Sequence, residues 1–216
     1  MAASTLEELG DDLDAGIAWR RAELQALRTQ TKGLRVRDQR TPANRAALRA
    51  SVVLLYAHWE GFVKQACQGY LDFIATRRLR FDQLSPALVQ TAIRPVAGRA
   101  ASDEEAVNQL AEWVAGNGTA RARIPRRGVV ETRSNLRHDV LLVILQSLGL
   151  PDDQFSTAAQ LIDRELCDSR NAIAHGMDSF PDSESVEHLF ERVLHLMETI
   201  RELILSNAGT QAYRSD

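Results

Sequence analysis

Residues 42–78 run PANRAALRASVVLLYAHWEGFVKQACQGYLDFIATRR, and two apolar stripes pass through them at helical spacing. The first is Leu48, Val52, Leu55, Trp59, Phe62, Ala66 and Phe73; the second is Val53, Tyr56, Val63, Cys67, Tyr70 and Ile74. Steps of three and four residues gather each stripe on one side of an α-helix. A helix that is apolar on two sides must be covered on both, so this one is the expected centre of an all-α, up-and-down bundle. Thr41 followed by Pro42 makes a natural start, because a missing N–H costs nothing in a first helical turn. Glu60 interrupts the second stripe between Tyr56 and Val63, and an ionised carboxylate there needs a cation or a hydrogen-bond donor. His58 beside it reads as a partly exposed or backbone-bonded histidine rather than a catalytic base.

The cation that Glu60 calls for is supplied by a second helix. Ser156 or Thr157 can cap its start, and Gly176 stops it, glycine being the residue that most easily takes the left-handed turn after a helix. Its stripe is Ala158, Leu161, Ile162, Leu166, Ile173 and Met177, with Arg170 inside it, four after Leu166 and three before Ile173. A guanidinium on a packed face must meet a carboxylate, a phosphate or trapped water. Glu60 of the same subunit is the expected partner. His175 lies five positions further on, roughly 140° around an ideal helix. The two side chains therefore diverge, and one chain alone does not close a site around both.

Arg170, Asn171 and His175, in the form RNAIAHG, resemble the Arg-Asn-x-x-x-His signature of HEPN-superfamily ribonucleases. Residues 56–64, YAHWEGFVK, are similar to the earlier helix of the stand-alone prokaryotic MAE-type branch, and so are Ser134-Asn135-Leu136 with Asp139-Val140-Leu141. The resemblance implies an all-helical, symmetric homodimer that cleaves RNA without a metal or other cofactor, using Arg170 and His175 of both subunits. Asn171 would orient the phosphate or bond the helix end. The family's setting is toxin–antitoxin or antiviral defence, so the implied partners are RNA, a second copy, and a cognate antitoxin or inhibitor protein. The residue types suit the chemistry. Attack of a ribose 2′-hydroxyl on the adjacent phosphate needs a base active near neutral pH and a planar cation for phosphate oxygens, which are histidine and arginine. The need for a 2′-hydroxyl makes DNA inert.

Two other readings stay open: a catalytically silent helical dimer that binds RNA or a partner protein, and an amphipathic-helix adaptor with no nucleic-acid role. In both, Arg170 is an interhelical ion-pair residue and His175 a helix C-terminal residue favoured by the partial negative charge there.

The 216 residues, 44% hydrophobic and 25% charged, suffice for one well-buried domain. Within it, residues 1–40 are expected to form an N-terminal helix and basic linker, 99–133 a helix and arginine-rich insertion, and 207–216 a flexible tail. A formal charge of -3 excludes a generally basic coat, so RNA contact must come from local clusters. The densest is Arg121, Arg123, Arg126 and Arg127, in a loop without apparent apolar partners and mobile until it meets a polyanion; solvated arginines read equally well. Arg35, Arg37, Arg40 and Arg45 make a second group.

Only Cys67 and Cys167 are present, without metal-ligand spacing, which fits core thiols in a reducing cytoplasm. The acidic start lacks the features of an export signal, and the longest apolar run, residues 140–145, is too short to span a bilayer.

Ser4 with Glu7 has the form of a capping box, opening a helix to residue 32 with Leu6, Leu9, Leu13, Ile17, Leu24 and Leu27 on one face. Ser85-Pro86 begins a short helix to Ile93 that Pro95 breaks, and Ser102 with Glu105 is a second box. Ser134 or Asn135 is expected to cap an apolar helix over residues 136–148. A last helix runs to Ser206 with Leu189, Val193, Leu196, Met197, Ile200 and Ile204 inward. His188 and His195 share a face there, with no carboxylate or cysteine to complete a metal set.

Overall fold

The computed structural model describes residues 3–215. Eight α-helices follow in order: α1 (Leu6–Thr31), α2 (Val36–Gln39), α3 (Pro42–Thr76), α4 (Pro86–Ala97), α5 (Glu104–Ala115), α6 (His138–Ser147), α7 (Ser169–Ala174) and α8 (Ser183–Gly209). Among the described residues there is no β-strand, only isolated bridges between Arg80 and Arg121 and between Leu84 and Arg214. No helix among them is long and apolar enough to cross a membrane.

The two-striped segment is the central helix. α3 packs against α1 and α8 along its length and against α7 on a third side. Trp59, Phe62, Tyr70 and Phe73 are fully enclosed by these neighbours. Truncating one such aromatic to alanine typically costs about 3–5 kcal/mol. α1 and α8 also meet through Arg21–Glu198, Arg28–Glu187, Arg28–Glu191 and Arg201–Asp14 ion pairs. Solvent-exposed pairs contribute about 0.2–1 kcal/mol each, and of these four only Arg28–Glu187 has both side chains largely covered, so Leu9, Leu13, Ile17 and Leu24, all buried, chiefly hold α1 in place.

Several helix ends differ from the sequence expectation, each for a local reason. Thr5, not Ser4, caps α1: its hydroxyl accepts from the Glu8 amide at 3.1 Å, while Glu8 accepts from the amides of both Ser4 and Thr5. Asp103, not Ser102, caps α5, because its charged oxygen reaches two amides at 3.1 and 3.3 Å. Pro95 does not break α4, which continues to Ala97 and is tied to α6 by the Thr91 hydroxyl donating to the Ser147 carbonyl at 2.6 Å. α6 begins at His138, since Ser134 sits at φ 60° and the Asn135 side chain is used elsewhere.

Residues 207–215, expected as a flexible tail, are pinned. Asn207 and Ala208 are buried, Tyr213 packs edge-on against Phe73, and the Ser85 amide donates to the Tyr213 carbonyl at 2.9 Å. Asp216 lies outside the described residues. The arginine-rich loop is likewise held. The Ala122 amide donates to the Leu79 carbonyl and the Phe81 amide to that of Ala120, and Ile124, Val129 and Val130 pack on the core. Those apolar residues, scattered between arginines, carry no periodicity that would disclose their burial.

The helix that carries the motif is not α-helical throughout. Gln160–Asp168 is π-helical and runs directly into α7. Its buried residues come in pairs five apart, Leu161 with Ile162 and then Leu166 with Cys167, the repeat that i→i+5 hydrogen bonding brings to one face. Extended π-helix is rare and often marks a functional site.

Candidate functional site

Arg170, at the first turn of α7, lies over Tyr56 of α3 with its guanidinium carbon 3.8 Å from the ring centroid. Its Nη2 donates to Asn135 Oδ1 at 3.0 Å and approaches the Ser134 carbonyl at 3.4 Å. Its Nε is buried without a partner. The loop that receives it is fixed at Leu136, which is fully buried: the Leu136 amide donates to the Tyr56 hydroxyl at 2.8 Å, and the Cys167 thiol donates to the Leu136 carbonyl at 3.3 Å. The backbone of one residue, Leu136, thus ties α3, the 132–137 loop and the π segment together. Burial pushes the Tyr56 phenol up; the Leu136 bond and the Arg170 charge offset part of that, and Glu60 adds to it. Burial pushes the Cys167 thiol up to about 12, so it serves as a neutral donor.

Glu60 does not hold Arg170. Its carboxylate accepts from the Thr132 hydroxyl and stands 3.5 Å from Lys64 Nζ, one turn along its own helix. Neutral oxygens on Nη2 and an aromatic face meet the guanidinium in its place and leave Nε unpaired. A charged group on a packed face does need a partner, but Asn135 and Thr132 come from a loop that helix periodicity cannot place.

His175 caps the C-terminus of α7, and its imidazole is exposed. The end is a Schellman turn: Met177 N–H bonds the Ala172 carbonyl at 2.9 Å, Gly176 N–H bonds that of Ile173 at 3.1 Å, and Gly176 takes φ 74°. Arg49 of α3 fastens the turn, donating to the carbonyls of Met177 and Ser179, each at 2.8 Å, and of Ile173 at 3.3 Å. Arg45 lies on Phe180, 3.3 Å from its centroid, and pairs with Asp178. Among the described residues no side chain hydrogen-bonds the His175 imidazole or the Asn171 amide. Arg170 turns inward while His175 faces out.

A family model described as HEPN_MAE_28990/-like HEPN matches residues 8–213. The chain belongs to this HEPN family. No curated protein and no solved structure matches it. The match takes in α1, the arginine-rich loop and the packed tail, so the HEPN unit is nearly the whole chain, and membership links it to RNA-directed, nuclease-type function.

Around the HEPN motif the remaining sequence candidates fall into place or away. His58 is buried between α3 and α1, edge-on to Trp19 and 3.1 Å from Glu23, instead of partly exposed. Its burial lowers the imidazole pKa, Glu23 pulls it back up, and Arg20 adds to the depression. Among the described residues no group of three His, Cys, Asp or Glu is placed to hold a metal ion. The four loop arginines divide: Arg121, Arg123 and Arg126 line a depression at the end of α3, with Arg126 3.6 Å from Asp72, whereas Arg127 lines a different cleft beside α4 and α6. Sequence reasoning missed Asn135 and Arg49 as parts of the site. Asn135 looked like a cap, and Arg49 has no signal beyond lying one position from Leu48.

Proposed function

We propose that the chain is a metal-independent endoribonuclease acting as a symmetric dimer, with Arg170 and His175 as its catalytic residues and Asn171 orienting the scissile phosphate. The carrying observation is the division of labour along one helix. A guanidinium is held over Tyr56, its buried Nε without a partner among the described residues, and five residues on an exposed imidazole ends a locked turn with no side-chain hydrogen bond among those residues. In this reading His175 removes the proton from a ribose 2′-hydroxyl, whose oxygen attacks the adjacent phosphorus. The Arg170 guanidinium neutralises the charge that develops on the phosphoryl oxygens. A histidine returns the proton to the leaving 5′-oxygen, and a 2′,3′-cyclic phosphate results.

A second copy supplies the second histidine. Met177 and Phe180, exposed apolar residues just beyond His175, together with Val36 beside Phe180 on one surface cleft, are the expected cover for that copy. Glu60 is a positioning residue acting through Thr132, and Arg121, Arg123, Arg126 and Arg127 guide the strand. The whole chain acts as one domain. A cytoplasmic setting in toxin–antitoxin or antiviral defence, with a cognate antitoxin or inhibitor protein, belongs to the same proposal.

The test is cleavage of structured RNA in the presence of EDTA. Wild-type protein is expected to give cyclic-phosphate ends, and Arg170→Ala and His175→Ala to lose about 10²-fold or more in rate. Unaltered cleavage in either variant, or an absolute requirement for Mg²⁺, overturns the assignment.

A further inference from the structure

A second concave surface lies outside the motif. α4, the arginine-rich loop and α6 enclose a cleft lined by Arg94, Arg127 and Arg133 together with the apolar Pro95, Val129 and Val143, which we take as its floor. The neighbouring Arg99, Arg126 and Arg137 each pair with an aspartate. Among the described residues Arg94, Arg127 and Arg133 pair with none. Glu131 is the one acidic side chain among the residues lining the cleft. Val143 is 47% exposed on the floor, although the rest of α6 is strongly apolar and its neighbour Ile144 is buried. Three unneutralised guanidinium forks above an exposed apolar floor suit a ligand with an anionic head and a flat, weakly polar body.

The backbone joins this cleft to the motif. Arg133 and Ser134 adopt φ 53° and 60° in succession, a left-handed conformation in which a Cβ crowds the following carbonyl oxygen. Such strain persists where the surroundings enforce it, often beside functional sites. Here the turn has Arg133 lining the cleft while the next two residues meet Arg170, through Asn135 Oδ1 at 3.0 Å and more distantly the Ser134 carbonyl at 3.4 Å.

We propose that this cleft binds a phosphorylated nucleoside, the phosphate on Arg94, Arg127 and Arg133 and the base on the Pro95–Val143 floor. Continuity through Arg133 makes an RNA strand leaving Arg170 the favoured source, and that step rests on the nuclease reading. A free nucleotide has the same chemistry.

Binding by the non-cleaving His175→Ala protein tests both sources, with a short labelled single-stranded RNA in one arm and AMP in the other. Arg94→Ala/Arg127→Ala is expected to weaken RNA affinity about tenfold or more and to flatten its salt dependence, since each phosphate contact on a single strand adds about 0.7 to the slope. Val143→Asp, which sets a carboxylate on the floor, is expected to weaken it comparably. All three positions are exposed, and a thermal melt checks that the variants stay folded. Loss confined to RNA assigns the cleft to the strand, and saturable AMP binding lost in the same variants assigns it to a free nucleotide. Unchanged affinity in folded variants, or no binding of either probe to the parent, overturns the proposal. Because the readout is binding, a protein that proves unable to cleave RNA fails the nuclease reading without deciding this one.

Discussion

Arg170 sits in a half-buried place with no carboxylate paired to it among the described residues. The Tyr56 face supplies electrostatic attraction worth about 0.5–2 kcal/mol in such settings, and the Asn135 amide oxygen supplies direction. A carboxylate pairing with Arg170 would neutralise the charge; a neutral cradle leaves it for an incoming anion. Glu60 therefore has a lesser role than its interruption of an apolar stripe suggested. A glutamine in its place still accepts from the Thr132 hydroxyl, and the exposed Lys64 loses only a pair worth about 0.3–0.5 kcal/mol. Glu60→Gln is expected to change unfolding free energy by less than about 1 kcal/mol, and Tyr56→Phe to cost about 1–3 kcal/mol by stranding the buried Leu136 amide. Chemical denaturation of the two variants decides this; the reverse order would mean that the carboxylate, not the phenol, anchors the loop. The sequence disclosed that Glu60 and Arg170 were out of place on apolar faces. It did not disclose their hydrogen-bond partners Thr132 and Asn135, which lie in a loop without periodicity.

At the scale of helices, the long apolar stripes of α1, α3 and α8 were legible because a period near 3.6 is written redundantly over seven or more turns. The π segment was not. Leu161, Ile162 and Leu166 fit an α-helical stripe and a π-helical one equally well, and only Cys167, five after Ile162, tips the pattern. Capping residues fell one position from expectation at α1 and α5, where adjacent Ser-Thr and Ser-Asp pairs each offer two capable caps one residue apart. The far end of the motif helix is over-determined instead. Gly176 supplies the left-handed residue and Arg49 takes three carbonyls from outside. Arg49→Ala is expected to leave RNA binding near the parent value while lowering the cleavage rate tenfold or more, since a loosened turn lets His175 wander from the phosphate. Parallel binding and single-turnover measurements check it; an unchanged rate would show that Gly176 alone holds the turn.

The whole molecule combines a net charge of -3 with local arginine groups, one in the cleft between α4 and α6 and one in the depression at the end of α3. Attraction of a polyanion is then local and salt-sensitive, not a property of the entire surface. The single-chain bundle buries its core fully but leaves Met177 at 60% and Phe180 at 43% exposure next to the outward histidine. Sedimentation at micromolar concentration is expected to give about twice the 24.0 kDa chain mass, and Phe180→Glu to give monomers that no longer cleave. A wild-type monomer with full activity would remove the need for a second copy. The all-helical bundle was evident from periodicity; an arrangement of subunits leaves no periodic trace, only apolar residues without cover.

The two cysteines turn the molecule into its own stopwatch. Both thiols are buried, and burial pushes each up to about 12, so neither reacts while the structure stays shut. Cys67 lies at the centre of α3, whereas Cys167 donates to the Leu136 carbonyl beside the motif loop, so Cys67 is expected to need opening of the whole bundle and Cys167 only a local opening of that loop and the π segment. Labelling with a thiol reagent under native conditions is expected to modify Cys167 first, and the interval between the two events measures how much more often the loop beneath Arg170 breathes than the protein unfolds.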